Sequence, residues 1–137
     1  MRGYDNGKKY SKDYVKAQVK AIDEAIASYY LKSPIVTYRS INSSAFYQHL
    51  DNIESMIGNE YTDLAFMSSS PTLDSPALNK DLPMTIKLPS GKGIGAYIDE
   101  YNGLGEKEFL IARGKRYKIT NAYKKNKVYY VEMEMIV

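Results

Sequence analysis

The order of hydrophobic periodicities along the chain limits its fold most. Val15, Val19, Ile22, Ile26 and Tyr29 recur at spacings of four and three, the stripe of an α-helix that runs to about Leu31. Ser11 is placed to cap it, Asp13 falls in its first turn, and Lys32-Ser33-Pro34 ends it. The β-branched and aromatic run Ile35–Ile41 reads as a strand. A second helix is expected after Asn42-Ser43-Ser44, with Phe46, Leu50, Ile53 and Ile57 on its apolar face and Gly58 as its stop. From Leu64 onward the helical period is gone. Strands are expected at 64–68, 84–88, 95–98, 106–119 (bent or broken at Gly114) and 127–137. Residues 69–82, 89–91, 99–105 and 121–126 connect them. Two helices followed by uninterrupted strands specify an α+β domain with mainly antiparallel sheet, not a doubly wound α/β fold.

The chain has 137 residues, enough for one core. Residues 1–10 read as a polar leader and 11–137 as a single domain. The absence of cysteine excludes a disulfide scaffold, a cysteine zinc site and a thiol nucleophile. His49 is the only histidine, which argues against a His-based triad or a multi-His metal site and leaves acid–base chemistry to carboxylates. No apolar run reaches the length of a membrane span. The opening MRGYDNGKKY has no apolar h-region, so no signal peptide is visible.

Charge is unevenly placed. Arg113 to Lys127 holds seven Lys or Arg and no acid, while Asp99 to Glu108 holds four acids and one Lys. The plain reading of the basic run is a solvated hairpin; the functional one is a footprint for an acidic partner or nucleic acid.

Three elements could build a site. Arg39 lies on a strand between apolar neighbours, where it is either an exposed cation or a fixed guanidinium that binds a phosphate. Ser68-Ser69-Ser70 follows an apolar strand, where the hydroxyls either satisfy a turn or hold a catalytic side chain. Glu106-Lys107-Glu108 begins a strand just after a Gly-containing loop. Alternation puts Glu106 and Glu108 on one face with their Cα atoms roughly 7 Å apart. Two such carboxylates raise each other's pKa unless cations or donors compensate. Phe109-Leu110-Ile111 then carries the strand into the core, so the pair stands where a core strand meets a loop.

In order and spacing the three elements resemble the R-S-E class of bacterial mono-ADP-ribosyltransferase toxins, which includes the actin-modifying binary toxins and the Rho-modifying exoenzymes. That pattern is an aromatic-Arg strand, Ser-Thr-Ser after an apolar strand, and Glu/Gln-x-Glu before an apolar strand. Here the places hold Tyr38-Arg39, Ser68-Ser69-Ser70 and Glu106-Lys107-Glu108, with Ser69 instead of Thr in the middle. Gly95-Ala96-Tyr97-Ile98 ahead of the loop, Phe109–Gly114 after it and the helical Ala21–Ile26 are similar too, so the resemblance spans about residues 20–137.

The resemblance implies two small, mainly antiparallel sheets with flanking helices around an NAD cleft. It implies that NAD is a substrate and that no metal takes part. Arg39, with Tyr38 and Ser70 beside it, would bind NAD. Ser68 would fix Glu108, and Glu108 would meet the nicotinamide ribose and stabilise an oxocarbenium-like state. Glu106 would face the acceptor, and Glu there goes with a protein arginine as target. Tyr101 would be an acceptor contact. NAD hydrolysis is an expected side activity. A toxin of this class is secreted or delivered into a target cell. Family catalytic domains usually carry further helices upstream, which this chain is expected to lack. The alternatives are a non-catalytic module of the same fold and a nucleic-acid modifier that uses the basic run; the absence of a nucleic-acid-binding motif puts the latter last.

Overall fold

A computed structural model describes residues 12–73, 78–98 and 108–137, and the backbone of residues 4–5 and 8–9. In chain order the elements are β1 (Tyr4–Asp5), β2 (Lys8–Lys9), α1 (Lys12–Ser28), β3 (Tyr30–Leu31) and β4 (Ile35–Ile41). A 3-10 segment (Ser43–Met56) follows, then β5 (Glu60–Asp63), β6 (Met67–Ser69), β7 (Leu82–Leu88) and β8 (Gly91–Lys92). The chain continues with β9 (Gly95–Ile98), β10 (Glu108–Ile111), β11 (Lys115–Lys125) and β12 (Val128–Met135). The polar opening stretch thus contains a short antiparallel pair, β1 with β2.

Two sheets carry the fold. One has five strands in the order β4-β7-β12-β11-β5; the other has three in the order β6-β10-β9. All pairings within them are antiparallel except β7 with β12. The α+β class and the paired small sheets follow the sequence pattern.

Alternation explains which face of the large sheet is covered. In β7 every second residue from Leu82 to Leu88 is buried, and in β12 Val131, Met133 and Met135 are. The opposite face carries a charged row: register sets Lys87 against Glu134, Glu134 against Lys118, and Lys118 against Glu60. Opposite charges one strand apart favour this register, and a one-residue slip would bury them.

The second expected helix is instead a 3-10 segment with non-helical dihedrals at Phe46 and Asn52. Its buried residues are Phe46, Ile53 and Met56, while Ile57 is exposed. The stripe therefore shifts from Ile57 to Met56. Three residues per turn carries the chain past the position that an α-helical period would bury. Asp81 accepts hydrogen bonds from the Ser43 N–H (2.7 Å) and from its hydroxyl, and these fix the start of the segment from outside. Gly58, at φ +91°, then turns the chain and donates to the Ile119 carbonyl.

Three further boundaries differ from the sequence reading. A strand forms at Glu60–Asp63, where none was expected. Leu64, expected in a strand, is exposed, and the strand begins at Met67. The turn expected over 121–126 contracts to Asn126-Lys127, both at positive φ, so β11 runs on to Lys125 past an irregularity between Ile119 and Asn121. The two positive φ values supply the twist of a tight hairpin. The break expected at Gly114 is present, with φ +73°.

The basic run is divided by this fold. Arg113 grips Asp23 of α1 through Nε (3.0 Å) and Nη2 (2.6 Å) and lies over the Phe66 ring, and Arg116 pairs with Glu60. The Arg113 hydrogen bonds hold the Asp23 carboxyl below the usual carboxylate range. Lys124, Lys125 and Lys127 are exposed around the hairpin turn, with Lys124 over the Tyr129 ring. This is the solvated-hairpin reading for most of the run.

Among the described residues no helix is long and apolar enough to cross a membrane. α1 is the one α-helix ahead of β4 among them.

Candidate active site

The two sheets are joined at one point, and the candidate residues gather there. Tyr38 on β4 and Ser70, just past β6, exchange both backbone hydrogen bonds, at 2.8 and 2.7 Å. This bridge draws the end of the three-stranded sheet onto the edge of the five-stranded one. From the next position on β4, the Arg39 guanidinium donates through Nη1 to the Ser68 carbonyl at 2.9 Å. One of its five N–H groups thus anchors it across the joint, and a planar fork held this way is suited to an anion.

Glu108 begins β10, the central strand of the small sheet. Ser68 pairs in register with Leu110, two residues along from Glu108, so Ser68 and Glu108 share a face. On that diagonal the Ser68 hydroxyl donates a short hydrogen bond to Glu108 Oε1. The carboxylate is half-buried, and its rotamer is set by a side chain whose own backbone is held by Arg39. The three residues form one connected unit: guanidinium to carbonyl, hydroxyl to carboxylate.

The other two serines are structural partners of this unit. Ser69 points to the opposite, buried face, and its hydroxyl donates to the Phe109 carbonyl at 2.7 Å. The Ser70 hydroxyl is spent in a turn, donating to the Thr72 carbonyl (2.9 Å) and accepting from the Thr72 N–H (3.2 Å). Tyr38 is half-buried and in register with Thr85. Phe109 and Ile111, both fully buried, fasten β10 into the core, each contributing about 1.5–3 kcal/mol. Tyr101 and Glu106 lie outside the described residues.

Arg39 also acts at a distance. Tyr61 and Tyr117 have pKa values raised above the ordinary tyrosine range, by burial first and then by the negative charge of Asp63, and the Arg39 cation works against both shifts. The Tyr117 hydroxyl is buried with no hydrogen-bond partner, so it remains neutral in the fold.

A second polar feature is an open depression of about 650 Å³ lined by Asn42, Ser43, Ser44, Asn79, Lys80 and Asp81. Its one carboxylate, Asp81, is already occupied by the Ser43 hydroxyl and N–H, which lower its pKa. It offers no activated group. No cluster of three or more His, Cys, Asp or Glu side chains that could hold a metal occurs among the described residues.

Sequence reasoning missed the Ser69 bond to Phe109, the Asp81 cap and the Asp23–Arg113 clasp. The last joins residues 90 apart, and no local pattern marks such a pair.

The model of a family described as ADP-ribosyltransferase exoenzyme matches residues 2–136. No curated protein matches the sequence. Among solved structures, the C3larvin toxin, an ADP-ribosyltransferase of Paenibacillus larvae, is similar at 21% identity and TM-score 0.73, over 96% of this chain and 76% of that one. C3stau2 from S. aureus, solved with NAD, aligns at 15% identity and TM-score 0.74, over 92% of this chain and 73% of that one. BECa, an ADP-ribosylating toxin of a C. perfringens binary enterotoxin solved with NADH, aligns at 20% identity and TM-score 0.76, over 96% of this chain and 38% of that one.

Proposed function

The chain belongs to the ADP-ribosyltransferase exoenzyme family, and from that premise we propose that it cleaves NAD and transfers the ADP-ribose to an arginine of an acceptor protein. The observation that carries this reading is the connected unit Arg39–Ser68–Glu108 at the joint of the two sheets. The NAD and NADH in the S. aureus and C. perfringens structures support the choice of substrate.

In this reading Arg39 holds a phosphate or ribose oxygen of NAD, with Tyr38 and Ser70 framing it through their backbone bridge. Glu108 accepts a hydrogen bond from the 2′-OH of the nicotinamide ribose. The C1′–N bond breaks with its electron pair leaving on nicotinamide, which departs neutral. The positive charge left on the ribose is oxocarbenium-like, and the fixed Glu108 carboxylate stabilises it, as carboxylates do in glycoside hydrolysis. A carboxylate already held in place by Ser68 does not have to reorganise at that moment.

The acceptor nitrogen then bonds to C1′. A guanidinium is protonated at any ordinary pH, so it attacks only if a carboxylate orients it and takes its proton. Glu106 fills that role, two residues before Glu108 in sequence, and Tyr101 contacts the acceptor. When water takes the acceptor's place, the outcome is NAD hydrolysis. The toxins among the structural neighbours support delivery into a target cell.

Labelled NAD with polyarginine and with cell lysate tests the assignment. Glu106→Gln is expected to abolish arginine transfer while nicotinamide release continues. Equal loss of both activities refutes the division of roles between Glu106 and Glu108, and mass spectrometry of the labelled lysate identifies the modified residue.

A further inference from the structure

On the edge of the small sheet, beside Glu108, two apolar side chains stand open to solvent. Ile98 is 39% exposed and is the direct register partner of Glu108 across the β9–β10 ladder. Directly opposed residues in a ladder project to the same side, so Ile98 flanks the carboxylate. Tyr97, 42% exposed, is the partner of Phe109. Its ring is braced edge-to-face by Phe109 at 4.9 Å and by Tyr29 at 6.4 Å. One of those braces belongs to the core and the other follows α1. The ring is therefore held in place although much of it is wet.

Rigid, part-exposed aromatic and aliphatic groups lose little conformational entropy when they are covered, which is the character of an interface anchor. β9 is an edge strand, and Gly95–Ile98 carries no charged residue. A partner that covers the ridge therefore gains by apolar contact, not by ion pairing. The position restricts what that partner is. Any acceptor has to bring a side chain to Glu108 from the solvent side, and Ile98 adjoins that carboxylate.

We infer that Tyr97 and Ile98 form a docking ridge for the acceptor protein, one that takes an apolar patch flanking the modified side chain. This rests on the proposed transferase reading and adds to it where the acceptor's surface lies. Specificity for a folded acceptor then comes partly from β9, separately from the group that chooses the modified residue. Ile98 is solvent-exposed, so polar replacement there leaves the core intact.

The test compares wild type, Ile98→Ser and Ile98→Val in two assays: nicotinamide release from NAD without acceptor, and label incorporated into the soluble proteins of a cell lysate from biotinylated NAD. Ile98→Ser is expected to lower protein labelling about tenfold, the scale of losing an interface anchor, and to leave NAD hydrolysis within about twofold. Ile98→Val is expected to retain the labelling. Equal loss in both assays, or no loss in either, overturns the ridge. So does a wild type that hydrolyses NAD but labels no protein. Sedimentation of the wild type as a dimer that Ile98→Ser dissociates assigns the ridge to a second copy of this chain and overturns it too. A wild type inert toward NAD removes the transferase reading itself, and the ridge with it.

Discussion

Ser68 is the residue through which the site holds together. Its carbonyl receives Arg39 and its hydroxyl reaches Glu108. Ser68→Ala keeps the first contact and removes the second. A hydrogen bond to a charged group contributes about 1.5–3 kcal/mol, so kcat for NAD cleavage should fall about 10- to 100-fold, with KM for NAD little changed because Arg39 stays anchored. Steady-state kinetics separates the two parameters, and a change confined to KM would contradict a role in orienting Glu108. Tyr117 is informative for a different reason. Burial raises its pKa above the ordinary value of 10.0, and its hydroxyl has no partner. Below pH 10 both the folded and the unfolded forms keep the proton. Above it the unfolded chain ionises first, binds fewer protons than the folded one, and stability falls as pH rises. Tyr117→Phe is expected to be neutral or stabilising at pH 7 and to weaken the loss of stability between about pH 10 and 11.5, as read from urea unfolding midpoints. An unchanged alkaline slope would assign that loss to other groups.

Among the elements, β9 and β10 fix the site's geometry, and Gly95 is the point where they meet most closely. A Cβ built there would lie 2.5 Å from the Leu110 carbonyl oxygen and 2.5 Å from the ring of buried Phe109. Neither backbone nor a ring locked in the core can give way cheaply. Gly95→Ala is therefore expected to cost about 2–3 kcal/mol and to disturb the strand that carries Glu108. Thermal unfolding and NAD cleavage should both suffer, and a fully stable variant would contradict this packing. Strand segments with clear alternation or β-branched runs, β4 and β9 above all, were legible from sequence to the residue. The 3-10 segment was not. Its apolar residues fit an α-helical stripe, and the Asp81 contacts that set its start come from 38 residues away. The β11–β12 turn was misjudged because Asn121–Lys125 looks like polar loop, although the ladder continues through it with Tyr123 and Tyr130 stacked at 5.0 Å. At the site, the identities of Arg39, Ser68 and Glu108 were legible from their spacing and resemblance. Their connection was not, since it depends on the Tyr38–Ser70 bridge, which no local pattern encodes.

At the scale of the whole molecule, two sheets are tied at that bridge, and α1 is clasped to the turn after β10 by Asp23 and Arg113. The reacting groups sit at the junction, which neither sheet could form alone. The family assignment and the connected Arg39–Ser68–Glu108 unit lead to one central claim, that Glu108 drives cleavage of NAD. Nicotinamide release from NAD by wild type and by Glu108→Gln tests it most directly. Gln is close in size and still accepts from Ser68, so the fold should hold, and circular dichroism can verify this. The account predicts steady release by the wild type and a loss of about 10³-fold in the variant, the scale of removing a fixed transition-state charge. Release undiminished in Glu108→Gln would contradict it.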